Sequence, residues 1–146
     1  MSLLMPGCRY ESEVKAKEKS KNMIEQVTLH LLQLAMDISQ TRHKAAAANI
    51  ASANIPGAAQ IKVNFDDLFS ALAQADDLGR ELLVQDIRAN WTDEKSSATS
   101  LTFGTDIKLD EQSAELLLAS GKYKLLTEGL NRKLGLMQVA VNGGKR

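Results

Sequence analysis

The sequence predicts a mainly α fold. Long N- and C-terminal helices pair as a coiled-coil-like bundle, with an irregular insert that holds a short helix and short strands. Three observations point there. Apolar residues recur at 3-4 spacing from Ile24 and again from Leu116. A strong helix stop, Pro56-Gly57, closes the first of these runs. Aromatics are only 4% of the 146 residues, too few for a large aromatic-rich core. The length suits one domain.

The chain divides into 1–22, read as a mobile leader, 23–57, an assembly helix with its stop motif, and 58–106, an acidic insert. A C-terminal assembly helix over 107–142 and a short tail, 143–146, complete it. Residues 1–22 lack the pattern of a cleavable secretory signal: Met1 to Met5 is briefly apolar, then Pro6-Gly7 breaks the run. Residues 9–22 are charged and without packing period, although the alternating signs of Lys15 to Lys21 would extend a helix. The pattern changes at Met23, which marks it as a candidate natural start.

The first seam runs Ile24, Val27, Leu31, Leu34, Ile38, Thr41, Ala45, Ala48 and Ser52. Large apolar residues fill its first half and small residues its second. Ala45 to Ala48 favour helix and let another helix approach closely. Asn54, a residue that tolerates left-handed geometry, then Ile55 before proline and Pro56-Gly57 mark the stop.

In the insert, Asn64 followed by Asp67 reads as the start of a helix over about 65–76. Asp76 to Gly79 reads as a break. Leu83, Ile87 and Trp91 share one helical face, so 81–91 is helix or strand. Thr92 to Ser100 reads as a polar loop, and 101–103 and 107–109 as short extended pieces.

The second seam runs Leu116, Ala119, Tyr123, Leu126, Leu130, Leu134, Met137 and Val141. Asp110 or Ser113 is placed to cap its helix, and Asn142-Gly143-Gly144 to end it. Two such helices alone bury too little, so further helices must cover the seams, from the middle of the chain or from neighbouring subunits.

Composition narrows function. Eighteen basic and eighteen acidic residues give a formal net charge of zero, which disfavours nucleic acid as a partner. The insert 58–104 carries four basic and eight acidic residues, while 1–22 and 105–146 each have a basic surplus of two. One cysteine, Cys8, excludes a disulfide framework. His30 and His43 are too far apart for one metal-binding turn, and neither a nucleophile turn nor a calcium loop is present. Gly143-Gly144-Lys145 has no following helix to make a phosphate loop. No catalytic residue, cofactor, metal or small-molecule substrate is expected, and the chain reads as a non-enzyme.

Residues Ala48-Asn49-Ile50-Ala51-Ser52-Ala53-Asn54-Ile55-Pro56-Gly57 resemble the helix-end signature of bacterial flagellar rod and hook subunits, approximately A-N-N-I-A-N-x-x-T-P-G-Y. Within it, Ala48, Asn49, Ile50, Asn54, Pro56 and Gly57 carry the match. Val63 to Leu68 resembles the V-D-F-x-x-x-L of the proximal rod subunits. Ile107 to Glu111 resembles their V-D-M-D-x-E. Tyr123 to Leu126 and Leu130 to Leu136 resemble their C-terminal Y-x-x-L and L-S-R-K-x-x-L. The likeness covers about 23–75 and 105–142. Ile55 stands where the family has Thr, Ala58 where it has Tyr and Lys108 where it has an acid. Residues 1–22 and 76–104 have no counterpart.

The resemblance implies a self-assembling, torque-transmitting structural subunit of the flagellar basal body. It implies periplasmic placement after type III export without a cleaved signal. Its implied partners are further copies, other rod subunits and membrane-ring or export-gate components. The subunit-interface residues are then Ile24, Val27, Leu31, Leu34, Ile38, Leu116, Tyr123, Leu126, Leu130, Leu134 and Met137. A soluble helical-bundle adaptor or export chaperone is the alternative.

Overall fold

The computed structural model describes the backbone of residues 7–104 and 106–143, and side chains from residue 26 onward. It is mainly helical, with two long terminal helices and a small sheet in the insert. In order these are α1 (Gly7–Ser52), β1 (Gln60–Val63), α2 (Asp66–Gln74), α3 (Asp77–Ala89), α4 (Trp91–Ala98), β2 (Thr99–Thr102) and α5 (Leu109–Val141).

The first helix is longer than expected. It begins at Gly7, not at Met23, and its 46 residues make a rod about 69 Å long. The alternating charges of 15–21 are compatible with this, because lysine and glutamate are good helix formers that need no buried face. The rest of the expected leader, residues 1–6, and 144–146 of the tail lie outside the described residues. The stop falls as expected, but its chemistry differs. Asn54 does not take positive φ; Gly57 does, at 74°. The Ala58 amide donates to the Ile55 carbonyl at 3.1 Å. With Pro56 and Gly57 at the two central positions, this is a type II turn.

The core forms between α1 and the insert. Leu34, Ile38, Phe65, Leu68, Leu72, Val84 and Ile87 are all buried in one cluster. Phe65 stacks on Trp91, with ring centroids 5.8 Å apart and planes 10° from parallel. The expected helix over 65–76 is α2, opened by an Asn64 side chain that accepts from the Asp66 amide at 2.8 Å. The break at Asp76 to Gly79 is shorter than expected. Asp76 caps α3, accepting from the Gly79 amide at 2.9 Å. Arg80 covers the open end of α2, donating to the carbonyls of Leu72 (3.2 Å) and Ala75 (2.9 Å).

The segment read as a loop, Thr92 to Ser100, is instead α4 followed by the start of β2. This helix has no apolar face of its own. It is held by Trp91 at its start and Ala98 at its end, both packed on the core, and the Ala98 carbonyl accepts from the Asn64 amide at 2.8 Å. β1 and β2 pair antiparallel, Gln60 opposite Thr102 and Val63 opposite Thr99. The expected extended piece at 101–103 falls largely on β2, whereas 107–109 forms no strand and its last residue opens α5. Neither Asp110 nor Ser113 caps that helix. Lys108 holds the cap position without a side-chain capping bond, while Asp110 and Glu111 occupy the first turn, where the helix dipole favours acids.

Candidate assembly interface

The end of α1 is organised by one buried amide. Asn49 is 1% exposed. Its Nδ2 donates to the Ile61 carbonyl at 2.8 Å, and its Oδ1 accepts from the Ile61 amide at 2.8 Å. A carboxamide has the same donor and acceptor as a peptide group, so Asn49 acts as a one-residue strand on the outer edge of β1. The second Nδ2 hydrogen goes to Gln112 Oε1 at 2.8 Å, and Gln112 is itself buried near the start of α5. One side chain therefore joins the first helix, the sheet and the last helix. The other matched positions behave differently. Ile50 is half-buried, and Ala48, Asn54, Pro56 and Gly57 are exposed.

From this node α1 and α5 run antiparallel. Asn49 meets Gln112, Arg42 and Ala46 lie beside Gln112 and Glu115, and Ala35, Ile38 and Ser39 lie beside Ala119, Lys122 and Leu126. The side of α1 turned to α5 includes three small residues, Ala35, Ser39 and Ala46, between Ile38, Arg42 and Asn49. Ser39 is buried with its hydroxyl donating to the Ala35 carbonyl at 2.8 Å, and Thr41 does the same to Asp37 at 2.9 Å. Such back-bonding lets short polar side chains occupy a helix contact without orphaned groups.

The residues expected at a subunit interface separate into three groups. Leu34 and Ile38 are 2% and 5% exposed and lie in the chain's own core, against α2 and α3. They are thus covered within one chain, a correction to their expected placement between subunits. The cause is the insert, whose helices supply the apolar partners that the seam requires. Val27, Leu31, Leu116, Leu126 and Leu130 are half-buried. Tyr123, Leu134 and Met137 are exposed, at 41%, 48% and 36%. The side chain of Ile24 lies outside the described residues.

Sequence reading of a single seam missed the outer side of α5. Leu118, Leu125, Leu136 and Val139 are 58–73% exposed. At 100° per residue they fall within about 60° of one another, roughly 100–180° round the helix from the stripe of Gln112, Ala119 and Leu130 that meets α1, with Leu125 also bordering the groove on the α1 side. A second apolar feature is a groove of about 310 Å³ between α1, α2 and α5, walled by Ile38, Phe69, Ala119, Leu125 and Leu126.

Among the described residues no three His, Cys, Asp or Glu side chains group to hold a metal, and no helix is long and apolar enough to cross a membrane. The side-chain ion pairs Asp77–Arg80, Lys108–Glu111 and Glu128–Arg132 are each local to one helix end or turn and largely exposed, so they add little to stability. His30 Nδ1 and Arg42 Nε are buried polar atoms without a partner; they sit on different parts of α1 and form no shared site. No protein-family model, no curated protein and no solved structure matches the chain.

Proposed function

We propose that the chain is a structural subunit of the bacterial flagellar basal-body rod, in its proximal part. The observation that carries this reading is the apolar surface that α5 leaves uncovered beyond its contact with α1. Leu117, Leu118, Leu125, Leu136 and Val139 are each more than half exposed. A monomer that displays this many large apolar side chains on one helix is suited to association. The resemblance in residues 48–57 and 107–136 gives that association its identity, and the antiparallel pair of terminal helices suits a subunit packed by its two ends. Asn49 gives the signature a mechanical purpose, since it locks the end of α1 to the base of α5. A head-to-tail contact between such subunits, if it does not close, builds a helical shaft.

In this reading the subunit leaves the cytoplasm by type III export, assembles in the periplasm with further copies and other rod subunits, and transmits torque. It performs no catalysis and needs no cofactor. Deletion of the gene tests it, scored by swimming and by electron microscopy of isolated basal bodies. Basal bodies that end at the membrane ring, with swimming lost, are the expected result. Intact rods and motility would overturn it.

The groove beside Phe69 favours a second reading, a helical-bundle adaptor or export chaperone that seats an amphipathic helix of a client. Normal basal bodies in the deletion strain, with loss of one exported protein, would select that reading.

A further inference from the structure

The outer face of α5 has no partner within the chain. It runs Ala114, Leu118, Gly121, Leu125, Arg132, Leu136 and Val139, all exposed. A Cβ built on Gly121 or on Gly129 meets nothing within 4 Å, so neither glycine is required by packing inside the chain. Each costs helix stability, up to about 1 kcal/mol relative to alanine. What they provide is a low surface on which another helix backbone can approach closely.

Charge fixes the direction of that approach. Residues 109–120 carry three acidic side chains, Asp110, Glu111 and Glu115, and no basic one. Residues 121–141 carry Lys122, Lys124, Arg132 and Lys133 against Glu128 alone. The helix is thus −3 in its first part and +3 in its second. Two copies laid parallel would set like charge on like. Laid antiparallel about Leu125, they set acidic 109–120 of each on 130–141 of the other, whose charged residues are Arg132 and Lys133, and Lys122 on Glu128.

We propose that a second copy of this chain docks antiparallel on the outer face of α5, forming a closed two-fold pair centred on Leu125. With Leu125 against its own copy, Gly121 faces Gly129 of the other chain and Ala114 faces Leu136. Leu118 lies under the aliphatic stem of Arg132, and Glu128 lies opposite Lys122. The small residues of each copy meet bulky or equally small ones of the other, which is the condition for two helices to interlock. The contact is isologous and therefore closes at two subunits. It requires only the isolated chain and stands independently of the rod reading. In a rod-forming protein it would compete with open-ended assembly for the same face.

The test uses the full chain. Sedimentation velocity at tens of micromolar should give a dimer. Leu125→Glu and Leu118→Glu should each raise the dissociation constant by roughly tenfold or more, with unchanged helical circular dichroism. In a Cys8→Ser background, Leu125→Cys should cross-link to its own copy under mild oxidation. Asn131→Cys, on another side of the helix, should not. A wild-type monomer at these concentrations would overturn the proposal. So would open-ended oligomers in which the Leu125→Cys variant fails to cross-link. Should Leu125→Glu prove unfolded, cross-linking of the Leu125→Cys variant decides alone. The gene-deletion phenotype is unaffected by any of these outcomes.

Discussion

The two long helices carry similar apolar spacing and meet opposite fates. On α1 the large residues Leu34 and Ile38 are buried with the chain's own insert, and the side turned to α5 includes the small residues Ala35, Ser39 and Ala46 beside Arg42 and Asn49. On α5 the buried positions are a glutamine and an alanine, Gln112 and Ala119, and most of the leucines point to solvent. A 3-4 repeat therefore states that a helix has an apolar stripe. It does not state what covers the stripe. In this molecule one helix anchors the fold and the other displays surface.

That contrast predicts a steep difference in mutational cost. Phe65→Ala removes a buried ring that joins α2 to Trp91, and should destabilise the chain by about 3–5 kcal/mol in chemical denaturation. Leu34→Ala, in the same cluster, should cost about 2–5 kcal/mol. A cost below about 1 kcal/mol at both positions would mean that the core between α1 and the insert does not hold the fold. Asn49→Ala is the next largest. It strands the Ile61 amide and carbonyl and frees Gln112, at about 2–3 kcal/mol after partial hydration. Hydrogen exchange should also speed up at the Ile61 amide. Unchanged protection there would show that the Asn49 link is dispensable.

How much of this was legible in the sequence follows from how far each residue's partners lie along the chain. The helical character of both ends, the stop at Pro56-Gly57 and the start of α2 at Asn64 are local features, set by periodicity and turn chemistry within a few residues. α4 was not legible, since Thr92 to Ser97 offers no apolar period. Its helix depends on Trp91 reaching Phe65 and on Ala98 reaching Asn64. Strand β1 was missed for the same reason, because its partner β2 lies about forty residues away in register. Asn49 was flagged by resemblance, but its task was invisible. The groups it binds are 12 and 63 residues distant. The outer stripe of α5 was present in the spacing of Leu118, Leu125 and Leu136, but was masked once the stronger seam through Leu116 and Leu126 had been followed.

Smaller effects sharpen the comparison. Gly79→Ala sets a Cβ 2.6 Å from the Asp76 Oδ1 that caps α3. The carboxylate must swing away, so the change should cost about 1 kcal/mol, the worth of the cap. Gly79→Ala combined with Asp76→Ala should cost little more than Asp76→Ala alone, because both remove one hydrogen bond. Full additivity would place the glycine's role elsewhere.

The smallest expected effect on stability falls on α5. Leu136→Glu acts on a side chain 73% exposed, so it should change the unfolding free energy by less than about 0.5 kcal/mol. If α5 were an anchoring helix like α1, placing a carboxylate in its apolar stripe would unfold it, as Leu34→Glu should unfold the core. If α5 displays surface, the same change leaves the monomer intact and removes association. The denaturation midpoint of Leu136→Glu against the wild type, taken at a concentration too low for association, and the sedimentation coefficient at tens of micromolar separate the two. An unmoved midpoint with a lower sedimentation coefficient assigns the outer face of α5 to contact between chains. A lowered midpoint would return that face to the fold.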